Sequence, residues 1–396
     1  MTDAQVIVVG GGISGCLAAC LLADAGVRVV IIDRGDALMD GASRWNDGKI
    51  HLGYTFTGVA SPATAALMQE GAATFLPTLE QVLGGTLPAT TFGNAVTYLV
   101  DAASMLPPET LWQRAQAIAA MLRSAPGASA KSPLLERIAP DRAMRDTGQA
   151  NVAAAWRTTE IHVAPGPVAD AIVGAVAARA IPVLTGTVKR VDAVRAGWRV
   201  SLEDGRTLAA RSVVNAAWEG RTAIDRTVAA VTDPVSIRYK VGLFGTGVRS
   251  LRDMAPSTRI LGRFGDIVTY AEGEAYLSWY PVSLLARSDD GMPPALPSLD
   301  EADMMRRTLA GLGLPPSTLT DPGASWRVRG GYVVAHGYGD IDHLGSPLHE
   351  RDHPRVSELR PGYVTVDTGK YTLGPLMARR ASDIVRRHLR ARRDAA

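Results

Sequence analysis

The residues best spaced for chemistry near the start of the chain are glycines. Gly10, Gly12 and Gly15 form G-x-G-x-x-G directly after the apolar run Val6 to Val9, and Asp33 ends a second apolar run, Val27 to Ile32. Each has a mechanical reason in a dinucleotide site. The first glycine allows a tight turn and the second lets the backbone approach a pyrophosphate. The third lets the following helix pack close to the strand. Ile13 and Ser14 open that helix, so free N–H groups and the helix dipole face the phosphates. Asp33 can accept hydrogen bonds from a ribose diol, with Arg34 beside it. Glycine-rich turns also occur without a ligand, but here the strand before, the helix after and the acid beyond all agree. On these residues alone the cofactor is NAD or FAD equally.

Two more stretches carry reactive side chains. Gly41 to Tyr54 is polar and glycine-containing, with Ser43, Asn46, Asp47, Gly48, Lys49 and His51 in close succession. It is too polar for a core strand and too rich in hydrogen-bonding groups for an idle loop. Near the end, the strand Tyr363 to Val366 runs into Asp367-Thr368-Gly369-Lys370-Tyr371-Thr372-Leu373-Gly374 and then a helix from Pro375 to Leu389. Pro375 suits a first helical position. This closing strand, glycine turn and helix repeat the mechanics of the opening, so a second helix N-terminus is expected to face something electron-rich.

The elements that position these groups follow from periodicity. Helices are expected at Ile13 to Ala25, Ala63 to Leu83, Pro107 to Arg123, Pro165 to Ile181 and Leu299 to Leu312, with strands at Thr91 to Val100 and Pro182 to Leu184. Ala125 to Lys131 reads as a flexible connection. Lys189 to Val194, Trp198 to Leu202 and Arg211 to Ala216, with the turn Glu203-Asp204-Gly205, form a short antiparallel meander leading into a core strand. Val235 to Phe244, Ile267 to Tyr270 and Ala275 to Val282 read as a second, antiparallel sheet. Arg238 and Lys240 share one face of the first of these, Ile237, Tyr239 and Val241 the other.

Bulk properties fit an ordinary soluble globular protein: 396 residues, 46% hydrophobic, 20% charged and a formal net charge of +3. That charge argues neither for nor against nucleic acid. The arginines at 379, 380, 386, 387, 390, 392 and 393 read as a solvated helix face ending in a basic tail. Cys16 and Cys20, one turn apart on the first helix, suit packing rather than a disulfide or metal. No metal, nucleic acid or membrane partner is expected, and the cytoplasm is the expected location.

The order of parts resembles the FAD-dependent oxidoreductases of the D-amino acid oxidase family, which includes glycine and sarcosine oxidases, glycerol-3-phosphate dehydrogenases and L-2-hydroxyglutarate oxidases. The opening GGGISGCLAACLLADAGVRVVIIDR fits its FAD fingerprint. EIHVAPGPVADAIVGAVAARAI at 160–181 resembles the helix before the strand that reaches the adenine, with Val188 beyond it. SVVNAA at 212–217 resembles the strand near the FAD phosphates, through Ala216 and Ala217, although Trp218-Glu219-Gly220 follows where relatives continue into a glycine turn. NDGKIHLGY at 46–54 resembles a stretch of hydroxyglutarate oxidases that runs beside the flavin ring. DTGKYTLGP at 367–375 resembles the turn that approaches the flavin N1–C2=O edge, through Gly369, Lys370, Thr372 and Leu373.

The resemblance implies an α/β fold: a Rossmann-like FAD-binding domain with a β-meander, interleaved with an α+β substrate domain on an antiparallel sheet. The expected boundaries are 1–58, 151–225 and 326–396 for FAD and 59–150 and 226–325 for substrate. It implies FAD as cofactor, a small amine or amino acid as substrate and oxygen as acceptor, with a 2-hydroxy acid, a polyol phosphate or a larger metabolite as alternatives. Lys370 and the N–H groups of 372–374 would support charge at N1–C2=O, or Lys370 is a solvent-facing turn residue. Lys49 sits over the flavin or simply pairs with Asp47. His51 takes a proton, is a structural histidine, or carries a covalent flavin; no cysteine near the closing turn permits a thioether link. Arg238 or Lys240 binds a carboxylate, or faces solvent. Tyr54, Trp279, Tyr280 and Tyr371 are expected in the pocket wall.

Overall fold

Val6–Val9 is buried at every residue and lies between two parallel neighbours, Ser212–Asn215 and Val29–Asp33, so its four apolar residues have no solvent face to alternate toward. It is the middle of a six-stranded sheet in the order Val356–Arg360, Tyr363–Val366, Ser212–Asn215, Val6–Val9, Val29–Asp33, Val183–Thr185. Only the first of these strands is antiparallel to its neighbour. The chain is described by a computed structural model over residues 4–124, 135–262 and 264–394, and the connection expected at Ala125 to Lys131 lies outside them.

Helices cover one face of this sheet. Ile13–Asp24 is buried along its first ten residues, including Cys16 and Cys20, because it is packed between Pro165–Ala178 and the closing helix Gly374–Asp394. Ala63–Leu83 lies over the closing helix, where Arg379 bonds Thr78 and Gln81 and Arg380 bonds Glu70. The other face is covered by a three-stranded meander, Val188–Val194, Gly197–Leu202 and Thr207–Ala210, whose Trp198 and Val200 pack against Ile7, Val9 and Ile32. Each such fully buried aliphatic side chain contributes about 1.5–3 kcal/mol. The result is a sandwich with the glycine turn at its open edge.

A second, nine-stranded sheet is mostly antiparallel. Its longest pairing joins Val235–Thr246 to Ser325–His336 over twelve residue pairs, from Val235 opposite His336 to Thr246 opposite Ser325. The sequence reading missed Ser325–His336 because Gly330, Gly331 and two arginines break its apolar alternation. The glycines are needed for close approach: a Cβ on Gly330 would lie 2.2 Å from the Lys240 carbonyl oxygen, and one on Gly331 would strike Ala42 at 2.6 Å. Two expected strands differ in extent. The one expected at 91–100 begins at Thr97, since Ala89–Thr91 is a short helical turn. The one expected at 275–282 ends at Trp279, where Pro281 sits in the first turn of a short helix. Lys49–Ile50 pairs with Ile161–His162, tying the polar loop to the strand segment leading into Pro165–Ala178. Among the described residues no helix is long and apolar enough to cross a membrane.

Candidate active site

A cavity of about 870 Å³ runs from the glycine turn, past the loop at 41–51, to the middle of Val235–Thr246. At its first end the backbone does most of the work. Gly10 has φ +102°, and a Cβ there would lie 2.4 Å from the Ala216 carbonyl oxygen, so the first glycine is required by both conformation and space. A Cβ on Gly15 would meet the Gly10 carbonyl oxygen at 1.9 Å, which is how the third glycine lets the helix close on the strand. Gly15 therefore supports the turn and does not itself border the cavity. The N–H of Ile13 donates to Ser43 Oγ at 2.9 Å, whereas those of Gly12 and Ser14 have no acceptor among the described residues. These free donors at a helix start are an anion cradle.

Asp33 accepts from the N–H of Gly11 through Oδ2 and from that of Gly35 through Oδ1. Each carboxylate oxygen keeps a further lone pair for a ribose hydroxyl. Arg34 pairs with Glu219, a mostly buried residue of the Trp218-Glu219-Gly220 turn whose carboxyl is pushed up mainly by burial. Val188, Ala216 and Ala217 line the same end.

The loop at 46–51 is held by its own hydrogen bonds. Asn46 Nδ2 donates to the carbonyls of Ala42 and Ser43, and its Oδ1 accepts from the N–H of Gly48 at 2.7 Å. Gly48 has φ +62° and its missing Cβ makes room for the Val163 carbonyl, so it packs away from the cavity rather than lining it. Lys49 is 1% exposed and pairs with both Asp266 and Asp47, the latter at 3.3 Å. Burial opposes its charge, but the two carboxylates overcome it and hold the pKa above the usual lysine range. Burial works against the charge of Asp47 and Asp266 as well, but Lys49 together with Lys240, and with Lys370 at Asp47, keeps both below the usual carboxylate range. Lys240 reaches Asp266 from the other side at 3.7 Å, and its Nζ lies 5.7 Å from the Tyr280 ring centroid.

His51 borders the cavity and turns Nδ1 to Glu160 Oε1 at 3.1 Å. Glu160 is fully buried, and also accepts from the Tyr98 hydroxyl and, at 2.7 Å, from the N–H of Leu52. Arg238 is 3% exposed and donates to the Tyr280 hydroxyl at 2.8 Å, so it is not on a solvent edge. Lys370 borders the cavity without a carboxylate partner among the described residues, and burial, with help from the nearby Arg351 charge, lowers its pKa to about 8. Gly369 and Tyr371 line the cavity beside it.

Several expected site residues lie elsewhere. Tyr54 is fully buried in a cluster with Tyr98, Leu111 and Trp156, because the polar loop has by then turned into that core. Trp279 packs against Met304 and Leu312. Thr372 and Leu373 do not border the cavity. Thr372 Oγ1 accepts from the N–H of His51 and donates to the Lys49 carbonyl, clasping the closing turn to the loop, while Leu373 is core. The N–H of Leu373 is spent on the Lys370 carbonyl and that of Gly374 on the Tyr371 carbonyl, so they are not free donors. Sequence reading missed Asp266, Glu160 and Arg351. The first two had a signal, a lone acid in an otherwise apolar or β-branched stretch; Arg351, in HERDHPR, had none.

A backbone anion cradle joined by one cavity to a cluster of buried lysines and arginines defines a dinucleotide-binding protein with a second, cationic chamber. A family model described as FAD-dependent oxidoreductase (DAO) matches residues 5–274. The chain belongs to that family, is an enzyme, and takes FAD as cofactor. A thiamine thiazole synthase from Methanococcus aeolicus is 41% identical over 69 residues, a match spanning 17% of this chain and only 24% of that enzyme. Iminodiacetate oxidase from Chelativorans sp. BNC1 superposes with a TM-score of 0.70 at 16% identity, covering 96% of this chain and 95% of that one. L-α-glycerophosphate oxidase from Mycoplasma pneumoniae, a structure with FAD bound, gives 0.70 at 14% identity, covering 98% and 95%. At these identities the two structures share the fold.

FAD fits the residues present. The free N–H groups of Gly12 and Ser14 suit its pyrophosphate, Asp33 its ribose, and the cavity past Ser43 and Asn46 its flavin.

Proposed function

We propose that this enzyme removes hydride from a C–N bond of an amino acid or related small amine and passes the electrons to oxygen. The observation that carries this reading is Arg238, a buried guanidinium bordering the cavity with no carboxylate partner among the described residues. It would hold a substrate carboxylate, with Tyr280 orienting it. Bound FAD supplies the two-electron acceptor. Lys370 would stabilise negative charge at the edge where the closing turn approaches. Lys49, neutralised by Asp47 and Asp266, would shape the flavin face without adding net charge. A free amine needs no dedicated base, in keeping with Asp47, the carboxylate bordering the flavin end of the cavity, being engaged by Lys49. In this reading the six-stranded sheet serves the cofactor and the nine-stranded sheet the substrate, so the boundaries expected at 151 and 326 shift, because Val152–Thr158 and Ser325–His336 belong to the nine-stranded sheet.

Oxidation of a 2-hydroxy acid or polyol phosphate is the second reading, and one observation favours it. His51 is held by Glu160 through Nδ1, leaving Nε2 to take a proton from a hydroxyl. Anaerobic addition of amino acids, amines, hydroxy acids and polyol phosphates to the yellow protein separates the two. Bleaching by amines, with peroxide released in air, supports the first; bleaching by hydroxy acids or polyol phosphates alone overturns it in favour of the second.

A further inference from the structure

Charges at the flavin end of the cavity do not cancel. Lys49 and Lys240 are answered by Asp47 and Asp266. Arg238, Arg351 and Lys370 border the same cavity, and among the described residues none of them is in an ion pair. Arg238 and Arg351 are 3% and 5% exposed, and the Nε of each is buried without an acceptor. Burial and the neighbouring Arg238 charge push the Arg351 pKa down to about 9. Two like charges taken out of water and left unpaired are costly, and a bound anion is what offsets that cost.

An alternative role for Arg351 is to staple its own loop. Its Nη1 does donate to the carbonyls of Leu348 and Glu350, and its N–H to Thr64 Oγ1 at 2.9 Å. Those bonds use one corner of the guanidinium. They leave Nε and Nη2, a side with two parallel donors that matches the two oxygens of a carboxylate. Arg238 is similar: Nη1 is given to Tyr280 and Nε is left over.

We propose that the substrate is a dicarboxylate, with one carboxylate held by Arg238 and Tyr280 and a second by Arg351. This rests on the cavity being the substrate site of the flavin enzyme proposed above. Lys370 remains for the flavin edge. Arg351 is thus a specificity residue whose loop, through Thr64, is anchored on the helix Ala63–Leu83.

Titration of the FAD-loaded protein with unreactive acids, read by shifts of the flavin visible spectrum, tests this without turnover. Propionate, butyrate and valerate are compared with malonate, succinate and glutarate, and with phosphonoacetate. The best dicarboxylate is expected to bind about 10–100-fold more tightly than the monocarboxylate of equal length. Arg351→Gln should collapse that ratio to near one, and Arg351→Lys, which keeps the charge but not the paired donors, should restore part of it. Equal binding of mono- and dicarboxylates by the wild type overturns the proposal, whether or not a variant folds. Tighter binding of phosphonoacetate than of any dicarboxylate overturns the carboxylate assignment, and a ratio unchanged in Arg351→Gln overturns the residue assignment. Failure of the reaction class appears separately, as a flavin that binds these acids yet is bleached by neither amine nor hydroxy substrates.

Discussion

The two ends of the cavity bind by different means. At the glycine turn the donors are backbone N–H groups, placed by a strand, a turn and a helix that follow one another in sequence, with Asp33 as an acceptor beside them. At the far end the working groups are ionised side chains from segments more than three hundred residues apart, Lys49 to Lys370. A backbone cradle is rigid once the strand and helix form, and it tolerates no side chain where the ligand or a second strand must approach. A side-chain cluster must instead be balanced charge by charge. The first site therefore fails by steric exclusion and the second by uncompensated charge.

Substitutions should separate these failure modes. Gly10→Val is expected to have the largest effect, because a Cβ there meets backbone at 2.4 Å at a positive φ. Protein purified from this variant should lack the flavin absorption bands and not regain them with added FAD; retention of normal flavin content would remove the steric argument. Lys49→Met leaves Asp47 and Asp266 without their main partner and is expected to cost about 3–5 kcal/mol in denaturant unfolding. Adding Asp266→Asn should recover part of that loss, and additive losses in the double variant would show that the pair is not coupled.

Lys370→Met is expected to lower the two-electron potential of bound flavin by about 30–60 mV, roughly 1.4–3 kcal/mol of lost charge stabilisation. The sign of its pH dependence follows from a pKa lowered to about 8. Below pH 8 the lysine is charged and the wild type exceeds the variant; as pH rises through 8 the lysine loses its proton and the difference shrinks. A difference that grows with pH would place the charge elsewhere. The smallest effect is expected of Asp33→Asn, which keeps an acceptor for Gly11 but loses one for a ribose. FAD binding should weaken about tenfold, near 1.4 kcal/mol, as measured by fluorescence of released flavin.

How much of each end could be read in advance follows the same division. Val6–Val9, the helix opened by Ile13 and the acid at Asp33 are local, so their periodicity and spacing carry the site with them. Lys49 and His51 were visible as reactive types, and Asp47 as a local partner for Lys49, but their distant partners were not. Asp266 lies 217 residues from Lys49, and Glu160 109 from His51. Tyr54 shows the converse: it stands three residues from His51 in sequence, yet the chain turns between them and buries it in another core. The N–H groups of Leu373 and Gly374 looked like free helix-start donors until the preceding turn was seen to use them.

The sequence by itself determined the nucleotide cradle, the parallel core strand and the helices that flank it, because these depend on contacts within a few dozen residues and on the bare geometry of glycine. Only the tertiary structure decided which charges cancel and which remain. Lys49 and Lys240 both meet Asp266, which a strand of the nine-stranded sheet carries to them, whereas Arg238 and Arg351 meet no carboxylate among the described residues. Pairing of ionised groups depends on distances of a few ångströms between remote segments, and no local pattern encodes them.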